Sequence, residues 1–248
     1  MAITMALRND NGLTNVCHDD VLWNTENMSR TCRKEALFDQ FARVAKAMAS
    51  PKRIELLDVL SQGERSVEAL AQTTGLKLTT TSAHLQSLRH GGLVATRKQG
   101  TRIYYRLAGD DIARLYVSLR TVAVRHIAET ERAAREFLGE DEVEAVGREE
   151  LLDRVRSGSV VLIDVRPAEE FAAGHINGAV SLPLDEVCDW VKDLPLGTEI
   201  VAYCRGEYCV LAYDAVRLLR GRGLPARRMK GGMLEWMIEG RPTAVKSA

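Results

Sequence analysis

Nowhere in the 248 residues do eighteen consecutive apolar residues occur, so no membrane-spanning helix is expected. The N-terminus has no charged region followed by an apolar segment, and neither export nor membrane insertion is indicated. Cysteine is sparse and odd in number: Cys17, Cys32, Cys188, Cys204 and Cys209 are irregularly spaced. That pattern argues against a disulfide framework and for a soluble protein in a reducing cytoplasm. The chain also lacks an excess of either charge, with 34 basic and 34 acidic residues.

The neutrality hides an asymmetry. Residues 36–110 hold four Lys and seven Arg against three Asp and three Glu, a net of +5, whereas residues 139–248 hold fourteen basic and nineteen acidic residues, a net of −5. A basic first half suits either a polyanionic partner or a plain solvated surface. The length exceeds the ~100–150 residues of a typical domain, so two domains are expected.

Residues 1–33 are polar and aperiodic, too poor in apolar side chains to offset the entropy of ordering, and read as a mobile tail. From residue 34 the pattern turns helical, with Leu37, Phe38, Phe41, Val44, Ala45 and Met48 on one stripe. Ser50-Pro51 restarts a second helix that ends near Gly63. Ser66 caps a short third helix ending at Gly75. Thr79 is placed to cap a fourth, which ends at Gly91 and Gly92. Two short helices joined by a tight turn make a helix-turn-helix. "LVATRKQGTRIYYRLA" then alternates about Gln99-Gly100 as a hairpin whose Arg97, Lys98 and Arg102 could reach phosphates. A long helix is expected from Asp110 to about Leu138. Its apolar stripe calls for a partner and points to a dimer with two recognition helices.

Through "KAMASPKRIELLDVL", "TSAHLQSLRHGGLV" and "KQGTRIYYRL", residues 34–138 resemble the ArsR family of winged-helix repressors. The resemblance implies a homodimer that represses a promoter by binding double-stranded operator DNA until an effector arrives. It places Thr80, Thr81, Ser82, His84 and Gln86 against bases or adjacent phosphates. The metal ligands of many members are largely missing: the third helix has no cysteine pair, and the last carries only His126 and Glu129. No metal and no cofactor are expected, and His126 reads as a packed residue. Cys17 and Cys32 are left as a candidate thiol switch or soft-metal pair.

Beyond a linker at residues 139–147, helices alternate with short apolar strands, the pattern of an α/β domain with a central parallel sheet. Cys204 follows the strand "EIVAYC", ahead of a helix starting near Val210. Loop N–H groups and a helix N-terminus directed at that thiol are expected to lower its pKa and to hold an anionic persulfide. Arg205 offers a cation for thiosulfate and Gly206 a tight turn.

"LIDVRPAEEFAAGHINGAVSLP", the cysteine loop and "MKGGMLEW" resemble the rhodanese family over residues 148–242. The resemblance implies sulfur transfer, with Cys204 as the sulfur-carrying nucleophile and Arg205, Gly206, Glu207, Tyr208 and Cys209 completing its loop. The six-residue length favours sulfur over phosphate. Glycine in third place and Cys209 in last place depart from the family pattern. Asp164, Arg166 and His175 read as bracing residues, and Cys188 as a buried one. The expected fold is thus an α+β winged helix-turn-helix followed by an α/β rhodanese-like domain. The expected function is a cytoplasmic repressor sensing or processing reactive sulfur, such as thiosulfate or persulfide, through a Cys204 persulfide. Two alternatives stand beside it: an active sulfurtransferase that DNA binding merely localises, and an arsenic- or antimony-responsive regulator using Cys204 and Cys209.

Overall fold

The structure, a computed structural model, describes residues 30–139, 143–191, 194 and 197–245. Cys17, most of the expected tail and part of the expected linker lie outside the described residues. Two compact units divide at Ala45 and Lys46. The first consists, among the described residues, of the leading part of α1 (Arg30–Met48). There Phe38 and Phe41, one turn apart, meet edge to face at 5.7 Å. α1 starts seven residues ahead of the first apolar residue of its stripe, Leu37.

The second unit opens with the winged helix: α2 (Pro51–Leu60), β1 (Arg65–Ser66), α3 (Val67–Thr74), α4 (Leu78–His90), β2 (Val94–Gln99) and β3 (Arg102–Leu107). Ser66 caps α3 as expected, its hydroxyl accepting from the Ala69 amide, and Gly75 takes the left-handed conformation that ends the helix. α4 begins one residue before the expected cap, with Lys77 at the N-cap and no side chain bonded there. Leu56, Leu57, Leu70, Leu85, Leu88 and Leu93 are buried as one core. Pairing of Gln99 with Arg102 closes the wing, with β3 between β1 and β2.

The expected single helix after the wing is two, α5 (Asp110–His126) and α6 (Ala128–Leu138). Ile127 is extended, and the Thr130 hydroxyl donates to the Ala123 carbonyl across the break. The Ala123 carbonyl also keeps the Ile127 amide at 2.9 Å, so the hydroxyl is a second donor bridging the two helices, a contact that periodicity does not register.

The remaining elements are α7 (Arg148–Arg156), β4 (Val161–Asp164), α8 (Ala168–Ala173), β5 (His175–Ile176), β6 (Val180–Ser181), a 3-10 turn (Leu184–Glu186), α9 (Val187–Trp190), β7 (Ile200–Tyr203), α10 (Val210–Arg220), β8 (Ala226–Arg228), α11 (Met233–Ile238) and β9 (Thr243–Ala244). β6, β4, β7 and β8 form a parallel sheet in that order, and β5 pairs with β9 antiparallel. β7 is buried on both sides. Ile200, Ala202 and Cys204 face the core under α10, while Val201 and Tyr203 face the core that holds Trp236. Strict alternation along one strand therefore puts Cys204 at the strand's C-terminal end, facing the start of α10.

Candidate active site and inter-domain cleft

The loop Cys204–Cys209 joins the end of β7 to the N-cap of α10, where Cys209 sits. It closes on itself through the Cys209 amide, which donates to the Gly206 carbonyl at 3.1 Å. The first amides of α11 clamp it: Met233 N donates to the Cys204 carbonyl at 2.9 Å and Leu234 N to the Arg205 carbonyl at 2.8 Å. A Cβ on Gly232 would fall 2.5 Å from Gly206 N and 2.6 Å from the Cys204 carbonyl oxygen. Glycine at 232 is what lets these segments touch. Gly206 itself uses no positive φ, and a Cβ there would come no nearer than 3.4 Å to Glu235, so the tight turn expected to need glycine at 206 does not require it and the close approach constrains Gly232.

The electrostatics of the thiol pair differ from expectation. Cys204 is buried, and its Sγ donates to the Cys209 carbonyl at 3.2 Å, with the Gly206 carbonyl at 3.8 Å. Burial and the bond to Cys209 push its pKa well up, not down. Cys209 moves the other way. The Cys204 thiol donates to it, and the Leu211 and Arg205 amides and the Arg205 charge add to that bond, so its pKa is lowered against burial. Alternation along β7 turns the Cys204 side chain inward, and the thiol stabilised as thiolate is the one at the helix start.

Arg205 is likewise not an open cation. Its Nε donates to both oxygens of Glu170, at 3.1 and 3.0 Å, and its Nη2 to Oε1 at 2.7 Å. Glu170, 1% exposed, also pairs with Arg65 Nη2 at 2.9 Å. One carboxylate thus joins the cysteine loop to β1, the strand hydrogen-bonded to the wing. The same seam carries Gln62, which accepts from Arg166 Nη1 at 3.0 Å and donates to the Arg205 carbonyl at 3.4 Å. Gly63, at φ 140°, approaches so closely that an added Cβ would lie 2.9 Å from Ala173 Cβ. On α5, Arg120 Nη2 bonds Glu235 at 2.5 Å, lies 3.7 Å from Glu207, and packs over the rings of Tyr116 and Tyr208. Glu235 in turn accepts from the Gly232 amide at 2.8 Å.

Between α2, α5, α6 and the start of α10 lies a cleft of about 760 Å³ with Cys209, Arg205 and Tyr208 on one wall and Asp58, Val59 and Tyr116 on another. Asp58 is raised in pKa by burial, in spite of Arg205, a hydrogen bond with Tyr116 and Arg120, and Glu235 raises it further. Its folded-state pKa therefore exceeds the unfolded one, so ionisation costs stability above the folded value, and the cost vanishes below the ordinary aspartate range. Asp58→Asn is expected to raise the thermal midpoint near pH 7 by ~2–4 °C, about 1 kcal/mol. The gain should disappear in melts at pH 3, and a gain that persists there would contradict the assignment.

The residues expected to face DNA divide. Thr80 is exposed, Ser82 and His84 are half-buried, and Lys98 and Arg102 are exposed on the wing. Thr81 is fully buried with its hydroxyl donating to the Lys77 carbonyl at 3.1 Å. It is an intrahelical residue turned away from the solvent face, because it shares the inward side of α4 with the buried Leu85 and Leu88, four and seven residues on. Gln86 donates to the Tyr105 hydroxyl at 3.3 Å. Arg97, although exposed, pairs with Glu64 and lies over Tyr104 at 4.9 Å from the ring centre. Asp164 and Arg166 form a fully buried pair at 2.6 Å, and His175 stacks on Phe171. Cys188 is half-buried, not buried, and His126 is exposed, not packed. Missed altogether were Asp58, Gln62, Arg65, Tyr116, Arg120, Glu170 and Glu235. The one available signal was charge inside otherwise apolar patterns, as at Arg120 in α5 and Glu235 in α11.

Residues 147–239 match the Rhodanese-like domain family, and residues 48–97 match a Helix-turn-helix domain family. The HTH-type transcriptional regulator Rv0324 of Mycobacterium tuberculosis is 52% identical over 210 residues, 85% of this chain and 92% of that protein. The HTH-type transcriptional regulator YgaV of Escherichia coli is 31% identical over 96 residues, 38% of this chain and 97% of its own. Among solved structures, a homodimeric winged helix-turn-helix DNA-binding domain from Mycobacterium bovis, from a possible ArsR-family transcriptional regulator, is 54% identical at a TM-score of 0.38, covering 40% of this chain and 93% of that one. With a winged helix ahead of a parallel-sheet domain that carries a cysteine loop, and a relative alike over nearly its full length, the chain belongs to the ArsR-type winged-helix transcriptional regulators that bear a C-terminal rhodanese-like domain.

Proposed function

We propose that the protein is a homodimeric, DNA-binding repressor whose rhodanese-like domain senses reactive sulfur through a persulfide on Cys204, and that the winged helix is the output. The observation that carries this reading is the Glu170 carboxylate held at once by Arg205 of the cysteine loop and Arg65 of β1. Any rearrangement of the loop that moves Arg205 acts on a buried carboxylate shared with the strand that supports the wing. The exposed Lys98, Arg102 and Thr80 suit phosphate and base contacts. Leu115, Leu119 and Val122, all exposed on α5, suit a homodimer like that of the M. bovis domain. Commitment of Arg205 to Glu170 leaves no open cation for thiosulfate, which favours a sensor over an enzyme turning that substrate over.

The test is fluorescence anisotropy on duplex DNA from the protein's own upstream region, with and without a persulfide donor, for wild type and Cys204→Ser. A shift of about tenfold in wild-type affinity, worth about 1.4 kcal/mol of coupling, with an unmoved mutant is the expected result. Equal responses in both proteins would place the switch elsewhere.

A further inference from the structure

We propose that Cys209 is the thiol that meets the sulfur donor, and that the inter-domain cleft admits an organic hydropersulfide with an apolar body, whose sulfane sulfur Cys209 takes and relays to Cys204. The inference rests on the sensor reading above and adds the route and the class of donor. Cys209 lines the cleft, whereas Cys204 is 1% exposed and lies behind it. The Cys204 thiol donates to the Cys209 carbonyl at 3.2 Å, so the two cysteines lie against each other and a sulfur loaded on the outer one is carried beside the inner one. Cys209 is also the thiol that bonding and charge favour as thiolate, which is the attacking form.

The cleft walls select the donor. Pro51, Ile54, Val59, Phe137, Val210 and Leu211 make them mainly apolar. The carboxyl and cationic side chains among the lining residues are Glu55, Asp58 and Arg205, and Arg205 is already paired with Glu170. A dianion such as thiosulfate would face two carboxyl groups and no unpaired cation, and its desolvation would go uncompensated. A molecule with a hydrocarbon body and a terminal sulfane sulfur loses little on entering, and about 760 Å³ is a small-molecule volume.

The chemistry balances without an outside oxidant. The Cys209 thiolate attacks the outer sulfur of R–S–SH, the S–S bond of the donor breaks, and RS⁻ leaves and takes up a proton, giving Cys209–S–SH and RSH. The Cys204 sulfur then attacks that outer sulfur, its proton passes to Cys209, and Cys204–S–SH and a free Cys209 thiol result. Each step exchanges one S–S bond for another.

Full-length wild type, Cys209→Ser, Cys204→Ser and Cys204→Ala are treated with benzyl hydropersulfide or with thiosulfate. Intact mass and peptide mapping then follow the gain of one sulfur atom, with DNA anisotropy read on the same samples. Both Cys204 variants are expected to hold the sulfur on Cys209, Cys209→Ser to load Cys204 at least about tenfold more slowly than wild type, and thiosulfate to lag the hydropersulfide by a similar factor. Wild-type loading rates in Cys209→Ser, unloaded Cys204 variants, or equal rates for the two donors would overturn the proposal. If Cys209 loads and relays while DNA affinity stays constant, the relay stands and the sensor reading fails. If affinity shifts although Cys209 is never loaded, the reverse holds.

Discussion

Glu170→Gln is expected to lower the stability of the protein by about 3–5 kcal/mol, a fall in thermal midpoint on the order of 10 °C. Glu170 is buried with two guanidinium partners, Arg65 and Arg205, which are 6% and 17% exposed. Removing its charge leaves Arg205 without a carboxylate and Arg65 with the exposed Glu169 alone, in a setting where water reaches neither cation freely. The neighbouring Glu169, which pairs with the same Arg65 but is 65% exposed, is the internal control. Glu169→Gln should cost under about 1 kcal/mol, since an exposed pair contributes little after screening and side-chain entropy. Thermal melts of the two variants side by side check the contrast, and equal losses would mean that Arg65 has no special dependence on Glu170. Under the sensor reading Glu170→Gln should also blunt the donor-dependent change in DNA affinity well below its melting range. Stability and coupling then travel through one carboxylate.

Local patterns made much of this protein legible. Ser66 before α3, Gly75 after it, and the Gln99-Gly100 turn are short-range chemistry, and the unbroken apolar runs "VLI" and "IVAY" mark strands buried on both faces. Bracing by Asp164 and Arg166 was what the rhodanese resemblance of "LIDVRPAEEF" implied. The seam between the domains could not be read in the same way. Arg65 meets Glu170 across more than a hundred positions, Arg120 meets Glu235 across 115, and Gln62 meets Arg166 across 104. A helical or strand period records which face is apolar, and it is silent on which distant charge a buried arginine will find. The thiol pair failed for a related reason. A cysteine between a strand and a helix start suggests a thiolate at the first position, but β7 alternation turns that side chain into the core and leaves the α10 N-cap to Cys209. The helix-terminus argument was sound and was applied to the wrong cysteine.

Arg166→Met is expected to cost about 3–5 kcal/mol as well, for a reason that a second substitution separates. Arg166 is fully buried. Its Nε and Nη2 hold both oxygens of Asp164 at 2.6–3.1 Å, and its other donors reach the Gly174 carbonyl at 2.7 Å and Gln62 across the seam at 3.0 Å. Deleting the guanidinium leaves Asp164, itself fully buried, as an uncompensated carboxylate beside the Tyr203 hydroxyl. If that stranded charge is the main cost, Asp164→Asn in the Arg166→Met background removes it, while the amide oxygen can still accept from the Arg166 backbone N–H, now 3.1 Å from Oδ1. The double variant should then recover about half of the loss or more in urea or thermal unfolding, a non-additivity of ~1–3 kcal/mol. Simple addition of the two single losses would show instead that the bonds to Gly174 and Gln62 dominate. In that case Arg166 holds the domains together more than it neutralises Asp164, and the seam would be the weak point through which a modified cysteine loop loosens the winged helix.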